Sequence, residues 1–127
     1  MTEPHRARKT GIERLVHAAR NTGRGLLACA RSEAAFRQEL AVLAVALPVA
    51  YFVAANLWRW VALIGVLLLI LVVELLNTGL ERLSDEVTRE TNPNIGRIKD
   101  MGSAAVGLSI LIAALVWLAA LAEWLGL

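Results

Sequence analysis

The sequence predicts an all-α membrane protein, with three transmembrane helices and an amphipathic helix on the membrane surface. Two observations carry this prediction. Hydrophobic residues make up 57% of the 127 residues, a proportion too high for an ordinary soluble domain. Three apolar runs are also long enough to cross a hydrocarbon core about 30 Å thick. In so short a chain, we expect one domain over residues 11–127, preceded by a disordered basic tail over residues 1–10.

The first predicted element is the surface helix, over residues 11–31. Ile12, Leu15 and Leu26 can share one face of a helix while the arginines lie on other faces, which is typical of a helix in the headgroup plane. Gly23 and Gly25 predict a bend or break near its middle. The pattern fits a lipid anchor or a lid over a lipid-entry site equally well.

The three transmembrane helices are predicted at about 34–57, 60–90 and 97–125. Ser32 is the predicted cap of the first, and Pro48 predicts a kink within it. The residues from Thr91 to Gly96 form a turn-rich cluster that should end the second helix before the third begins.

The basic residues predict the orientation of the helices in the membrane. Eight of the 13 Lys and Arg residues precede Leu40, four lie between Arg82 and Lys99, and Arg59 stands alone in the first hairpin. The positive-inside rule then places the N-terminus and the second connection in the cytoplasm. The excess of basic residues thus reflects topology, and we expect no nucleic-acid partner.

A polar stripe interrupts the second predicted span. Glu74, Asn77 and Glu81 follow the spacing i, i+3, i+7, which places them on one side of a helix. At 1.5 Å per residue, Glu74 lies about 21 Å from Trp60 and Glu81 about 31 Å. Glu81 should therefore touch water while Glu74 sits just beneath the interface, where a carboxylate indicates a functional site.

Further polar residues map to the same interface, among them Glu33 and Lys99. Carboxylate oxygens beside water suit Mg²⁺, which binds one or two carboxylates together with substrate phosphates. The poorly solvated Glu74 would suit a general base acting on an alcohol at the depth of the lipid backbone. These parts predict phosphoryl transfer to a lipid hydroxyl, although the chain has neither a GxxxxGK[ST] loop nor the protein-kinase signatures.

Three segments carry a resemblance to a known family: EAAFRQE at 33–39, ELLNTGLE at 74–81 and KDMGSAAV at 99–106. Together they resemble the signatures of the prokaryotic integral-membrane diacylglycerol kinases, over about residues 11–120. The resemblance implies a homotrimer of three-helix protomers, each with a surface helix, in the bacterial inner membrane. It also implies transfer of the γ-phosphate of MgATP to membrane diacylglycerol, giving phosphatidate, at a site on the cytoplasmic face.

The resemblance also assigns roles to individual residues. Glu74 corresponds to the catalytic base, and Glu33 and Glu81 to the metal ligands. Asn77, Lys99 and Asp100 complete the catalytic set. The groups expected to bind the nucleotide are Arg14, Glu33, Glu81, Glu90, Asn92, Lys99 and Asp100. Those expected to bind the lipid are Arg14, Ala18, Ala19, Ala35, Arg37, Gln38, Glu39, Glu74 and Ser103. The chain departs from the family pattern at Asn21, Gly23 and Ser32.

Other functions remain open from the sequence. An undecaprenol kinase would share the fold, although KDMGSAAV looks more like the diacylglycerol branch. A small proton or cation transporter could use Glu74 as a relay, and a structural membrane subunit could use the stripe for packing. A homo-oligomer is expected because one protomer offers little surface to hide Glu39, Glu74 and Asn77 from lipid.

Overall fold

The computed structural model describes residues 10–127, which form helices α1 (Gly11–Ser32), α2 (Ala34–Val53), α3 (Leu57–Val87) and α4 (Pro93–Trp124). The predicted all-α class is confirmed, and α2, α3 and α4 are long and apolar enough to span a membrane. The tail predicted over residues 1–10 lies outside the described residues, apart from Thr10.

Helix α1 begins with a capping box. Thr10 Oγ1 accepts a hydrogen bond from the Glu13 N–H, and the Glu13 carboxylate accepts one from the Thr10 N–H. A break at Gly23 and Gly25, one of the two expected outcomes, is wrong, because α1 is continuous through both. A glycine costs a helix about 1 kcal/mol but removes no backbone donor, so the hydrogen-bond ladder can persist. Residues 11–28 are exposed, and Cys29 is where α1 becomes buried.

The junction between α1 and α2 differs from the prediction. Ser32 is the last residue of α1, and its hydroxyl oxygen lies 3.1 Å from the Ala28 carbonyl of the same helix, so it does not cap α2. Glu33 occupies the N-cap position of α2 in extended conformation, without a side-chain capping bond. A metal-ligand candidate therefore stands at the corner between two helices.

Helices α3 and α4 are the longest elements of the fold. Asn56 caps α3 by accepting a hydrogen bond from the Arg59 N–H at 3.0 Å. Asn92 caps α4 by accepting from the N–H groups of Asn94 and Ile95. The sequence predicted a turn as far as Gly96. That prediction is wrong beyond Asn92, where the chain is already helical, because proline is well suited to the first turn of a helix.

The lengths of α3 and α4 carry them beyond the hydrocarbon core. At 31 and 32 residues, they measure about 46 and 48 Å along their axes at 1.5 Å per residue. A core is about 30 Å thick. We therefore expect the charged end of α3 and the first turns of α4 to extend out of the membrane together.

Helix α3 forms the centre of the bundle and packs against both α2 and α4. One apolar cluster, near the α2–α3 hairpin, contains Ala50, Val53, Leu63 and Ile64. At that end the Trp117 Nε1–H donates to the Leu63 carbonyl at 3.1 Å. Farther along, an apolar groove of about 690 Å³ is lined by residues of α2, α3 and α4.

A second apolar cluster, at the α1–α2 junction, consists of Cys29, Phe36 and Leu71. The Phe36 side chain is completely buried. This cluster fixes the corner between α1 and α2 to the face of α3, and that face carries the polar stripe.

Candidate functional site

Three carboxylates lie within electrostatic range of Glu74, where the α1–α2 junction packs on α3. Glu33 and Glu81 lie close enough to Glu74 to interact electrostatically with it, and so does Glu39. Glu33 comes from the junction, Glu39 from the second turn of α2, and the other two from α3. Residues that are up to 48 positions apart in the sequence thus form one acidic cluster.

The Glu74 side chain points into the bundle. Leu71, Glu74 and Thr78 are 7%, 7% and 6% exposed, and their spacing of i, i+3, i+7 places them on one face of α3. Asn77 and Glu81 are half-buried beside them. The predicted stripe is therefore present on α3. The expectation that one protomer cannot hide Glu74 from lipid is wrong, because the junction covers it within a single chain.

Asn77 links the stripe to α4. Its Nδ2–H group donates to Glu81 Oε1 at 3.4 Å, while its Oδ1 is buried without a hydrogen-bond partner. A Cβ atom added to Gly102 would overlap Asn77 Oδ1 and lie 3.0 Å from Leu80 Cδ2. The absence of a side chain at Gly102 thus allows α4 to approach the face of α3 that carries the polar stripe.

Lys99 of α4 is held by an acidic residue that the sequence did not single out. Its Nζ lies 2.6 Å from Asp85 Oδ1, in a partly exposed ion pair. Asp85 follows Glu81 by four residues, so it extends the stripe by one more turn. That spacing was a signal in the sequence, but the partner on another helix was not visible there.

Two arginines near the acidic cluster bond to other groups. Arg37 donates to the carbonyls of Ala30 and Arg31, at 2.8 and 3.3 Å, rather than forming the i, i+4 ion pair with Glu33 that its spacing allows. Arg82 donates to the Ser32 hydroxyl. That hydroxyl in turn donates to Glu33 Oε1 at 3.0 Å.

Several other predicted site residues are exposed at the surface. Asp100 and Ser103 are exposed on α4, next to Lys99 and Gly102. Asn92 is used as the cap of α4, and Glu90 is exposed just before it. Ala35 and Gln38 are exposed in the first turns of α2.

The predicted site residues of α1 are the most distant from the cluster. Arg14, Ala18 and Ala19 lie on its exposed part. Arg14 is about 22 Å along the helix from Cys29 at 1.5 Å per residue. The contacts within the chain do not bring these three residues to the acidic cluster.

The acidic cluster fits a divalent cation that a ligand helps to hold. No group of three or more His, Cys, Asp or Glu side chains within residues 10–127 is arranged to hold a metal ion by itself. Mg²⁺ normally uses only one or two carboxylates and completes its shell with water and phosphate oxygens. Arg37, Arg82 and Lys99 all bond to other groups, so a cation is well suited to balance the charge of the cluster.

Comparisons with known proteins identify the family of the chain. The family model for prokaryotic diacylglycerol kinase matches residues 20–121. The diacylglycerol kinase of Escherichia coli K12 is 38% identical over 108 residues, which is 85% of this chain and 88% of that protein. The Pseudomonas aeruginosa diacylglycerol kinase is 38% identical over 109 residues, covering 86% and 89% of the two chains. That of Helicobacter pylori 26695 is 32% identical over 107 residues, 84% of each. The chain belongs to the prokaryotic diacylglycerol kinase family.

Proposed function

We propose that this protein transfers the γ-phosphate of MgATP to the hydroxyl of membrane diacylglycerol, forming phosphatidate and ADP. The observation that carries the proposal is a buried carboxylate, Glu74, on a membrane-spanning helix and within electrostatic reach of Glu33 and Glu81. Family membership supports a nucleotide as the phosphoryl donor and a lipid as the acceptor. A carboxylate deep in the membrane suits the lipid, and carboxylates nearer the membrane surface suit the nucleotide.

Glu74 is the proposed general base. It lies seven residues before Glu81, which is about 10 Å deeper along α3 at 1.5 Å per residue. The Glu74 carboxylate accepts the proton of the lipid hydroxyl, whose oxygen forms a bond to the γ-phosphorus. The bond from that phosphorus to the bridging oxygen breaks, and ADP leaves. Burial suits this role because the carboxylate meets the hydroxyl away from competing water.

Glu33 and Glu81 are the proposed Mg²⁺ ligands. When bound, the ion neutralises phosphate charge as the γ-phosphoryl group is transferred. Asn77 orients the Glu81 carboxylate through its hydrogen bond. Lys99 binds the phosphates and is held by its ion pair with Asp85. Asp100, Arg14, Glu90 and Asn92 are further proposed nucleotide contacts.

The remaining proposed lipid contacts surround the entrance to Glu74. They lie on α1, on the first turns of α2 and at Ser103 of α4, and comprise Arg14, Ala18, Ala19, Ala35, Arg37, Gln38, Glu39 and Ser103. Among them, Glu39 interacts electrostatically with Glu74.

We place the enzyme in the bacterial inner membrane as a homotrimer, with its N-terminus and the site on the cytoplasmic side. The asymmetric distribution of basic residues supports the orientation. The trimer rests on the resemblance to the family. Glu39 and Asn77, which are only half-buried in one chain, would be shielded further by a neighbouring protomer.

The deciding experiment supplies the purified protein, in mild detergent, with radiolabelled ATP and either dioleoylglycerol or undecaprenol in separate reactions. We expect Mg²⁺-dependent labelled phosphatidate, with undecaprenol a much poorer acceptor. Labelling of undecaprenol alone would show an undecaprenol kinase. A protein that assembles and binds MgATP but labels neither lipid would contradict the proposal.

A further inference from the structure

A buried contact between α1 and α3 lies within the acidic cluster. Thr78 is four residues after Glu74 and three before Glu81, and only 6% of it is exposed. Its hydroxyl accepts a hydrogen bond from the Cys29 thiol, with 3.6 Å between Sγ and Oγ1. Cys29 is 3% exposed and is the buried residue of α1. Neither side chain has a part in the phosphoryl transfer described above.

The contact joins two elements that carry different parts of the site. The Cys29 carbonyl accepts a hydrogen bond from the Glu33 N–H at 2.8 Å, so Cys29 is directly connected to the corner where Glu33 stands. Cys29 and Phe36, on either side of that corner, both pack against Leu71 of α3. The position of Cys29 on α3 therefore sets where the Glu33 carboxylate lies relative to Glu74 and Glu81.

An exposed chain of hydrogen bonds reaches the same carboxylate from the other side. Arg82 donates to the Ser32 hydroxyl, which donates to Glu33 Oε1 at 3.0 Å. Exposed polar contacts compete with water and contribute little to fixing a geometry. The buried link through Thr78 is shielded from that competition.

We propose that Thr78 is a positioning residue, which acts through Cys29 to hold Glu33 beside Glu81. This inference rests on the proposed function, in which those two carboxylates share one divalent cation. Ligands that come from separate elements bind well only when their supports hold them in place. A thiol is a weak donor, so the link acts mainly by fixing the register of the junction on α3, and its loss should weaken cation binding only moderately.

The test compares Thr78→Val, which keeps the shape but loses the hydroxyl, with Thr78→Ser, which keeps the hydroxyl. Mn²⁺ serves as the probe, and electron paramagnetic resonance measures its binding to the full-length protein with a non-hydrolysable ATP analogue. We expect Thr78→Val to raise the dissociation constant about fivefold and Thr78→Ser less than about twofold, the range of one hydrogen bond. Glu33→Gln sets the upper limit of the effect.

Kinetics provide a second readout. For Thr78→Val, the Mg²⁺ concentration giving half-maximal phosphatidate formation should rise in the same proportion, while kcat at saturating Mg²⁺ stays near that of the wild type. A loss of stability alone would reduce the amount of active protein without changing the Mg²⁺ dependence.

Ser109→Ala is the matched control. Ser109 is a buried hydroxyl residue, 3% exposed, that bonds to the Val106 carbonyl of its own helix. Its loss should leave Mn²⁺ binding unchanged.

If Thr78→Val does not assemble, Cys29→Ala removes the other partner of the contact and takes its place. When both variants assemble, the double variant should be no weaker than the worse single one, because one contact is lost.

Unchanged Mn²⁺ binding in Thr78→Val, or in the Cys29→Ala variant that replaces it, would overturn the inference. Equal weakening in Ser109→Ala would do the same. These outcomes differ from a failure of the proposed function, which would appear as a wild-type protein that binds Mn²⁺ and nucleotide but forms no phosphatidate.

Discussion

Glu74 differs from the other carboxylates of the site in its depth and burial. It is 7% exposed, whereas Glu33 and Glu81 are half-buried. Replacing Glu74 by Gln keeps the volume of the side chain but removes its capacity to accept a proton. We therefore expect turnover of Glu74→Gln to fall by about 10²- to 10⁴-fold, the usual range for a lost general base. Both kcat and kcat/KM for the lipid should fall together.

Nucleotide binding distinguishes a general base at Glu74 from a metal ligand or a packing residue. Glu74→Gln should assemble like the wild type and bind the MgATP analogue with unchanged affinity. Glu86→Gln, at an exposed acidic residue of the same helix, should retain full turnover. Near-normal turnover in Glu74→Gln would make Glu74 a packing residue, and lost nucleotide binding would assign it to the metal site.

At the level of single residues, the sequence predicted what lies on one helix better than what lies between helices. The spacing of Glu74, Asn77 and Glu81 was enough to place them on one side of α3. The pairs Asp85–Lys99 and Cys29–Thr78 join different helices and are 14 and 49 residues apart. Helical periodicity carries no information about which side chains meet across such distances.

The Asp85–Lys99 pair joins the exposed ends of α3 and α4. Because the pair is partly exposed, it should contribute at most about 1 kcal/mol to stability. Its expected effect is to restrict the directions that the Lys99 ammonium can point. Asp85→Asn should raise the KM for ATP severalfold, with little change in melting temperature, and Asp85→Glu should restore part of the loss.

Steady-state kinetics with varied MgATP at saturating lipid measure this effect. Glu86→Gln is again the appropriate control, since it removes one negative charge from the adjacent position without touching Lys99. If both variants raise the KM equally, the effect comes from overall charge and the pair does not position the lysine.

Helices α3 and α4 pack closely at Gly102, where a methyl group would meet Asn77 and Leu80. Gly102→Ala should force the helices apart or displace the Asn77 amide, with a loss of about 1–3 kcal/mol in stability, as for other overpacked sites. Because Asn77 bonds to Glu81, activity should fall as well. Thermal unfolding in detergent and phosphatidate formation measure the two effects.

Gly107 of the same helix provides the comparison. Nothing lies within 4 Å of a Cβ atom built there, so Gly107→Ala should be neutral or should stabilise α4 by up to about 1 kcal/mol through helix propensity. A Gly102→Ala protein as stable and active as Gly107→Ala would contradict the close approach.

The element boundaries show how local chemistry decides what periodicity leaves open. The apolar runs were enough to predict that three spans exist. Helices α3 and α4, however, begin three and four residues earlier than predicted, because Asn56 and Asn92 accept capping hydrogen bonds from the backbone. Helix α1 continues through Gly23 and Gly25, because the cost of two glycines is small compared with the helical preference of the residues around them.

The two ends of the bundle are chemically opposite. The end with the α2–α3 hairpin has an apolar cluster and an ion pair of 2.7 Å between Arg59 and Glu123. The other end carries the acidic cluster and the turn between α3 and α4. Arg59 is the basic residue of the hairpin end, and Glu123 neutralises it. The scarcity of basic residues at the hairpin end is what supports the expectation that the hairpin faces away from the cytoplasm.

Labelling of an introduced cysteine can test this orientation. The native Cys29 is buried, so it should react slowly with a membrane-impermeant maleimide. Ala55 in the hairpin and Thr91 in the α3–α4 connection are both exposed and serve as sites for a new thiol. In intact bacterial cells, Ala55→Cys should be labelled while Thr91→Cys is labelled only after lysis. The reverse pattern would place the acidic site outside the cytoplasm, away from its ATP, and would contradict the proposed topology.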